Sequence, residues 1–380
     1  MELNFKNLSS YFLKLGTIGF GGPAALTQLM EKNLVEERKW LTKEEYVEGF
    51  ALSQLAPGPL AAQMAIYIGW LKHGSLGAAW IGFLFCLPSF LMCIVLGYLY
   101  IKFGSLPWIQ SVFYIAGPAV IAVIANSSYA LFKKTAKASH WTILIWLISA
   151  FYTGLFEEES ILLILFSGIL LAIIRKYKIK DSLSKLAFIF VVLLSSSAGA
   201  NNETLTKIAI YFTKAGAVVF GSGLAIVPFL HSGVVSEFGW LNERQFLDAV
   251  AVAMITPGPV VITTAFIGYL VMGLSGAIVA GIATFFPCYL ITVACAPFYY
   301  KIARKEFIKD VVTGVTAAAV GAIAGACWVM GKRTLLDIPS ILMALFSLAL
   351  LMKFKLKEPI LIISAAVIGY IFYIIKGSLT

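Results

Sequence analysis

The sequence predicts an all-α, polytopic membrane protein. Its two homologous helical halves are expected to form an inverted repeat with broken or re-entrant helices. Three observations predict this. Apolar runs recur along the whole chain, landmarks repeat at a shift of 200 residues, and basic residues change sides between the halves.

The apolar runs come first. Of 380 residues, 60% are hydrophobic and only 13% are charged, against about 25% charged in a soluble domain. Each run is long enough to cross a hydrocarbon core as a helix, which takes about 17 to 25 residues. The short alternating segments of a membrane barrel are missing from the sequence. The start, MELNFKNLSS, lacks the basic opening and small-residue cleavage site of a signal peptide. The net charge of +10 sits in short loops between apolar runs. It reads as a topology and headgroup signal, not as a nucleic-acid surface. Cys86, Cys93, Cys288, Cys295 and Cys327 all fall inside apolar runs, with no CxxC pair, and His73, His140 and His231 are far apart. Neither a metal nor a cofactor is expected.

The repeat comes second. Phe12, Lys14 and Gly16 fall on Phe212, Lys214 and Gly216; Phe20-Gly21 falls on Phe220-Gly221, and Trp40-Leu41 on Trp240-Leu241. Pro57-Gly58-Pro59 falls on Pro257-Gly258-Pro259. After a one-residue gap, Ile68-Gly69 matches Ile267-Gly268, and Pro88 matches Pro287. The expected division is a first unit at 1–180, a connector with one apolar span at 181–203, and a second unit at 204–380.

The charges come third. Lys133, Lys134 and Lys137 follow one apolar run, and Arg175, Lys176, Lys178 and Lys180 follow another; Glu157-Glu158-Glu159 lies between them. The positive-inside rule puts both basic loops, and with them Lys72-His73, in the cytoplasm. In the second unit the loop equivalent to Lys72-His73 is the uncharged Met272-Gly273. Basic residues gather instead at Lys301, Arg304, Lys305 and Lys309, and at Lys353, Lys355 and Lys357. The basic phase has flipped, as an inverted repeat requires. Lys332 and Arg333 run against the scheme, since it places them outside.

Each half also breaks its helices at matching places. "GFGGPAALTQLM" and "VFGSGLAIVPFL" open the halves, and Thr42 with Glu45, and Asn242 with Gln245, read as helix starts ahead of each PGP. A helix beginning inside the membrane aims unpaired N–H groups and about half a positive charge into a cavity, and such ends bind anions. Irregular backbone survives at that depth only where protein or water covers it. Discontinuous helices in corresponding places of two repeats point to a transporter's binding site.

The predicted anion site therefore comprises Gly21, Gly22, Pro23, Pro57, Gly58, Pro59, Gly221, Ser222, Gly223, Pro257, Gly258 and Pro259. Thr263, Thr264 and Gln63 are candidate polar contacts beside the breaks. Lys14 and Lys214 are either snorkelling residues or inward counter-charges. Glu48 and Asp248 either bind a proton in a coupled cycle or lie at the surface beside Lys43 and Arg244. The chain offers no HExxH, GxSxG or GxxxxGK[ST], so an enzyme or an ATP-driven pump is not expected. An anion channel, or a carrier of a less polar anion, would use the same helix ends.

These motifs resemble the chromate ion transporter family in its long, two-domain form. The resemblance covers nearly the whole chain. It is strongest in "FLDAVAVAMITPGPVVITTAFIGYLVMG" and "FGGPAA". It implies export of chromate, or of a related oxyanion such as sulfate, across a prokaryotic cytoplasmic membrane. The implied partners are that oxyanion and membrane lipid, with a homodimer allowed. The chain departs from the pattern at Leu26, at Leu60-Ala61-Ala62, at Ser222 and at Met254, which implies a less polar first half-site.

Overall fold

The structure is a computed structural model that describes residues 4–20, 22–136, 139–177, 204–221, 223–298, 305–354 and 356–377. The described residues form fourteen α-helices, seven up to Tyr177 and seven from Thr204 onward. The first half contains α1 (Phe5–Ile18), α2 (Gly22–Glu31), α3 (Lys43–Leu55), α4 (Leu60–Phe103), α5 (Pro107–Ala136), α6 (His140–Phe156) and α7 (Ile161–Tyr177). The second contains α8 (Thr204–Val218), α9 (Ile226–His231), α10 (Glu243–Ile255), α11 (Thr263–Cys295), α12 (Glu306–Thr334), α13 (Ile338–Phe354) and α14 (Glu358–Gly377). Two-residue strands β1 (Gly58–Pro59) and β2 (Phe220–Gly221) and a few short 3-10 and π-helical turns join them. The predicted apolar connector at 181–203 lies outside the described residues.

Helices α3 and α4 begin as a hairpin, not as one broken rod. A capping box between Thr42 and Glu45 starts α3. The chain turns at Pro57-Gly58-Pro59, and the start of α4 runs back beside α3. Lys72 consequently reaches Glu45 at 2.8 Å, and the Tyr67 ring packs on Gly49. Helix α1 and α2 form a second hairpin, closed at its base by Arg38 over Tyr11 (5.0 Å) and Trp40 (4.7 Å). In the second half, Tyr211 donates to the Phe229 carbonyl and meets the Trp240 ring at 6.0 Å. α2 and α9 each continue into a π-helical turn, at Lys32–Glu37 and Ser232–Glu237.

A straight α4 of 44 residues would be about 66 Å long, far beyond a hydrocarbon core of about 30 Å. It is not straight. His73 leaves the helical region and Gly74 takes φ 66°, so the chain reverses. The two arms touch closely: a Cβ on Gly69 would lie 2.5 Å from the Gly77 carbonyl oxygen. Met272 and Gly273 make the same reversal in α11. The second arm of α4 then crosses the protein.

That crossing fixes the sense of the repeat. Phe5 stacks edge-on with His73 at 4.9 Å, so the α1, α3 and α4 hairpins open on one face, the Lys72 face. Twenty-five residues on from the turn, about 38 Å along the helix, Tyr100 hydrogen-bonds Asp248 near the start of α10. Arg244 likewise reaches the Gln110 carbonyl at the head of α5. The second half's hairpins thus open on the opposite face, the Arg244 face, and the repeat is inverted.

Each half lends its last two helices to the other. α6 and α7 pack along α12, and α13 and α14 pack along α5. Small residues let these backbones approach, as at Gly321 against the Trp146 carbonyl and Gly369 against that of Ser111. Arg175 pairs with Asp310 across one such contact. Phe83, Ile101, Phe151 and Ile282 point outward, as lipid-facing residues of a membrane protein do. Arg333, which ran against the charge pattern, is neutralised by Glu157 and Glu243.

Candidate functional site

All four hairpins place their tips together at the centre of the molecule. β1 runs parallel to β2, with Gly58 opposite Phe220 and Pro59 opposite Gly221. The Gly58 N–H donates to the Val219 carbonyl at 2.5 Å, and the Gly258 N–H donates to the Gly19 carbonyl at 2.9 Å. Those two bonds differ by 200 residues at both ends. They are one contact repeated by a twofold axis, and each joins a PGP tip to the glycine-rich tip of the other half. Both glycines need their flexibility, since Gly58 has φ 138° and Gly258 φ 91°, where side chains are strained.

Further residues pin the tips from the crossing helices. Ser89, just after Pro88 in α4, donates to the Pro257 carbonyl. Its counterpart after Pro287 in α11 is Cys288, whose sulfur packs on Gly58. Sequence reasoning missed both. The available signal was their position, one residue beyond a proline that repeats inside an apolar run.

The predicted site residues divide accordingly. Pro57, Gly58, Pro59, Gly223, Pro257, Gly258 and Pro259 lie at the junction, with Gly58, Pro59, Gly223 and the whole second PGP buried. Gly22, with φ 75°, and Pro23 open α2 beside it. Gly221 contributes its backbone through β2. Gly21 and Ser222 lie outside the described residues.

The polar candidates are near the tips but engaged with the protein itself. Gln63 is fully buried, and its Nε2 donates to the Ala56 (3.0 Å) and Pro57 (2.8 Å) carbonyls. The Thr263 hydroxyl donates to the Val260 carbonyl at 2.6 Å, and that of Thr264 to the Val261 carbonyl at 3.1 Å. Their protons are turned onto backbone, not outward. Lys14 and Lys214 sit on the exposed faces of α1 and α8, away from the buried stripe of Leu8, Tyr11, Phe12 and Leu15. Glu48 is half-buried. Asp248 is 3% exposed and accepts a 2.6 Å hydrogen bond from Tyr100, so it is an interior group and not a surface one.

What the junction offers an anion is therefore backbone. Pro59 precedes α4 without a side-chain cap, and the β1–β2 pairing takes up the Leu60 amide, which leaves the amides of Ala61 and Ala62 as first-turn donors in a buried place. Pro259 does the same before Val260 and Val261. Helix starts of this kind carry partial positive charge. Among the described residues no cluster of His, Cys, Asp and Glu is arranged to hold a metal ion.

Comparisons with known proteins follow the same outline. A family described as chromate transporter matches the chain twice, over residues 6–173 and 206–370. A probable chromate transport protein of Synechococcus elongatus is 51% identical over 377 residues, covering 97% of this chain and 96% of its own length. A chromate transport protein of Cupriavidus metallidurans is 51% identical over 373 residues, covering 97% of this chain and 93% of its own. An uncharacterized transporter of Bacillus subtilis is 28% identical over 162 residues, which is 42% of this chain but 91% of its own. No solved structure is significantly matched.

Proposed function

The chain belongs to the chromate transporter family, and from that premise we propose that it carries chromate through the junction of the four hairpin tips. The oxyanion is held by the uncapped amides at the start of α4 and at Val260-Val261, between the two PGP turns. The observation that carries this reading is the reciprocal pair of bonds from Gly58 to Val219 and from Gly258 to Gly19. It supports two equivalent half-sites that face opposite sides of the membrane, as alternating access needs. A related tetrahedral dianion such as sulfate fits the same donors.

The direction is export across the cytoplasmic membrane. Lys32, Lys39, Lys43, Lys72, Lys133, Lys134, Arg175, Lys176, Lys305, Lys309, Lys353 and Lys357 share the Lys72 face, which by the positive-inside rule is cytoplasmic. An inside-negative potential then drives a dianion outward, with about 4.6 kcal/mol per 100 mV from the single-charge figure. The two units at 1–180 and 204–380 act as a pair around the shared site, and the chain performs transport without catalysis.

The test is potential-driven chromate flux into proteoliposomes, with sulfate as competitor. Wild-type protein moves chromate and sulfate competes. Gly258→Leu places a branched side chain against Ser89 at a positive φ, and flux falls to the background of empty vesicles. Equal flux from monodisperse wild-type and variant protein would remove the junction as the site.

A further inference from the structure

A second polar feature lies on the Arg244 face, between the turn after α4 and the head of α10. It is a cavity of about 440 Å³. Its wall includes Tyr100, Ser105, Gln110, Trp240, Arg244 and Asp248. Ser105 belongs to the turn between α4 and α5 and Gln110 to the first turn of α5, so the cavity opens to that face. Its inner end is Asp248, about one and a half turns along α10 toward the Pro257-Gly258-Pro259 tip.

Asp248 is 3% exposed. Its hydrogen-bond partner is a neutral hydroxyl, Tyr100 Oη at 2.6 Å. Arg244, one helical turn earlier, is drawn to the Gln110 carbonyl at 2.8 Å, and no ion pair joins it to Asp248 among the described residues. Among the described residues, the other elements around α10 bring no further charge to the carboxyl. α5 presents Gln110 and Phe113, α11 presents Leu270, and α14 presents Ile362 and Ile363 beside Ala251 and Val252. α12 brings Arg333, but to Glu243 at the head of α10. An ionisable group placed like this in a membrane protein marks a pathway more often than a scaffold.

The first half carries no copy of this arrangement. Glu48 holds the matching position but is half-exposed, and the counterpart of Arg244 is Glu44. The feature therefore belongs to one face of the carrier only.

We propose that Asp248 is a proton-operated gate on the anion's path through the Arg244 face. It rests on the transport reading above and deepens it. Ionised, the carboxylate repels a dianion across the cavity and speeds its departure. A hydronium ion in the cavity gives one proton to the carboxylate oxygen that Tyr100 does not hold; its O–H bond breaks, water is left, and the carboxyl becomes neutral. The repulsion then stops and the anion dwells. Export is consequently slowed by acid on the Arg244 face.

The experiment is chromate flux in proteoliposomes across a pH series, for wild type, Asp248→Asn and Tyr100→Phe. Protonation of the substrate affects all three alike, so differences between them report on the protein. Wild-type flux is expected to fall several-fold toward acid beyond the fall seen in Asp248→Asn. The Asn variant is expected to keep one slow rate, set against the same substrate speciation, and Tyr100→Phe to move the midpoint while retaining flux. An Asp248→Asn profile that parallels wild type would overturn the gate. If that variant does not fold, a Tyr100→Phe midpoint equal to wild type would overturn it. Wild-type vesicles that move no chromate at any pH would instead remove the transport reading on which the gate stands.

Discussion

Ser89 donates its hydroxyl proton to the carbonyl of Pro257, so a residue of the first half holds the tip of the second. The matching position in the other half is Cys288, a much weaker donor, and there the tip is held by Gln63 of its own hairpin. The two tips are related by symmetry in their backbone and differ in how firmly they are clamped.

Ser89→Ala removes the clamp and leaves a buried carbonyl without its partner. The expected cost is about 1–3 kcal/mol of stability, together with a clear loss of chromate flux. Thermal unfolding in detergent and a flux assay on the same preparation measure the two. An unchanged Tm and unchanged flux would mean that the contact is incidental.

Gln63→Leu keeps the volume and removes two hydrogen bonds to the Ala56 and Pro57 carbonyls. At about 0.5–1.5 kcal/mol each, the loss is expected to reach about 1–3 kcal/mol and to weaken chromate binding more than it unfolds the protein. Gln63→Glu is expected to be worse for transport, since an acid has no amide donors for those carbonyls and adds a charge that repels the anion. Substrate affinity from concentration-dependent flux checks the order of the two variants.

Lys14→Ala and Lys214→Ala are expected to leave chromate affinity nearly unchanged, because both side chains lie on exposed faces of their helices. A large fall in affinity with normal folding would place them in the anion path after all.

Acid is expected to loosen the Arg244 face. Burial works against ionising Glu243, but its hydrogen bond with His231 and its pair with Arg333 outweigh this and hold its carboxyl below the usual range. A carboxyl depressed on folding stabilises the fold fully above its unfolded value. That contribution is lost as pH falls through the lower, folded value. Thermal unfolding through the acid range should show this slope, and Glu243→Gln should flatten it. A variant as acid-sensitive as wild type would assign the slope to other groups.

Much of the fold was legible because symmetry leaves a trace that needs no contacts. Pro57-Gly58-Pro59 and Pro257-Gly258-Pro259 announce matching turns, and the shift in basic loops announces opposite senses. Arg333 looked like an exception because its partners, Glu157 and Glu243, are 176 and 90 residues away. Asp248 was unreadable for the same reason: its burial depends on Tyr100, 148 residues earlier. The side chains of Gln63, Thr263 and Thr264 were placed near the site by spacing alone. Spacing does not say whether a hydroxyl or amide turns outward or satisfies a carbonyl of its own turn, and here each satisfies a carbonyl.

The exchange of end helices has an assembly consequence. α5 is clothed by α13 and α14, and α12 by α6 and α7, so neither unit owns the packing that completes its longest single-pass helix. A single unit by itself would present that helix bare. Two units threaded in opposite senses embrace, and the mutual grip forms a cage that stays put while the central loops shift inside it. Movement of cargo through such a cage calls for local rearrangement at its heart, with the two units never letting go of each other.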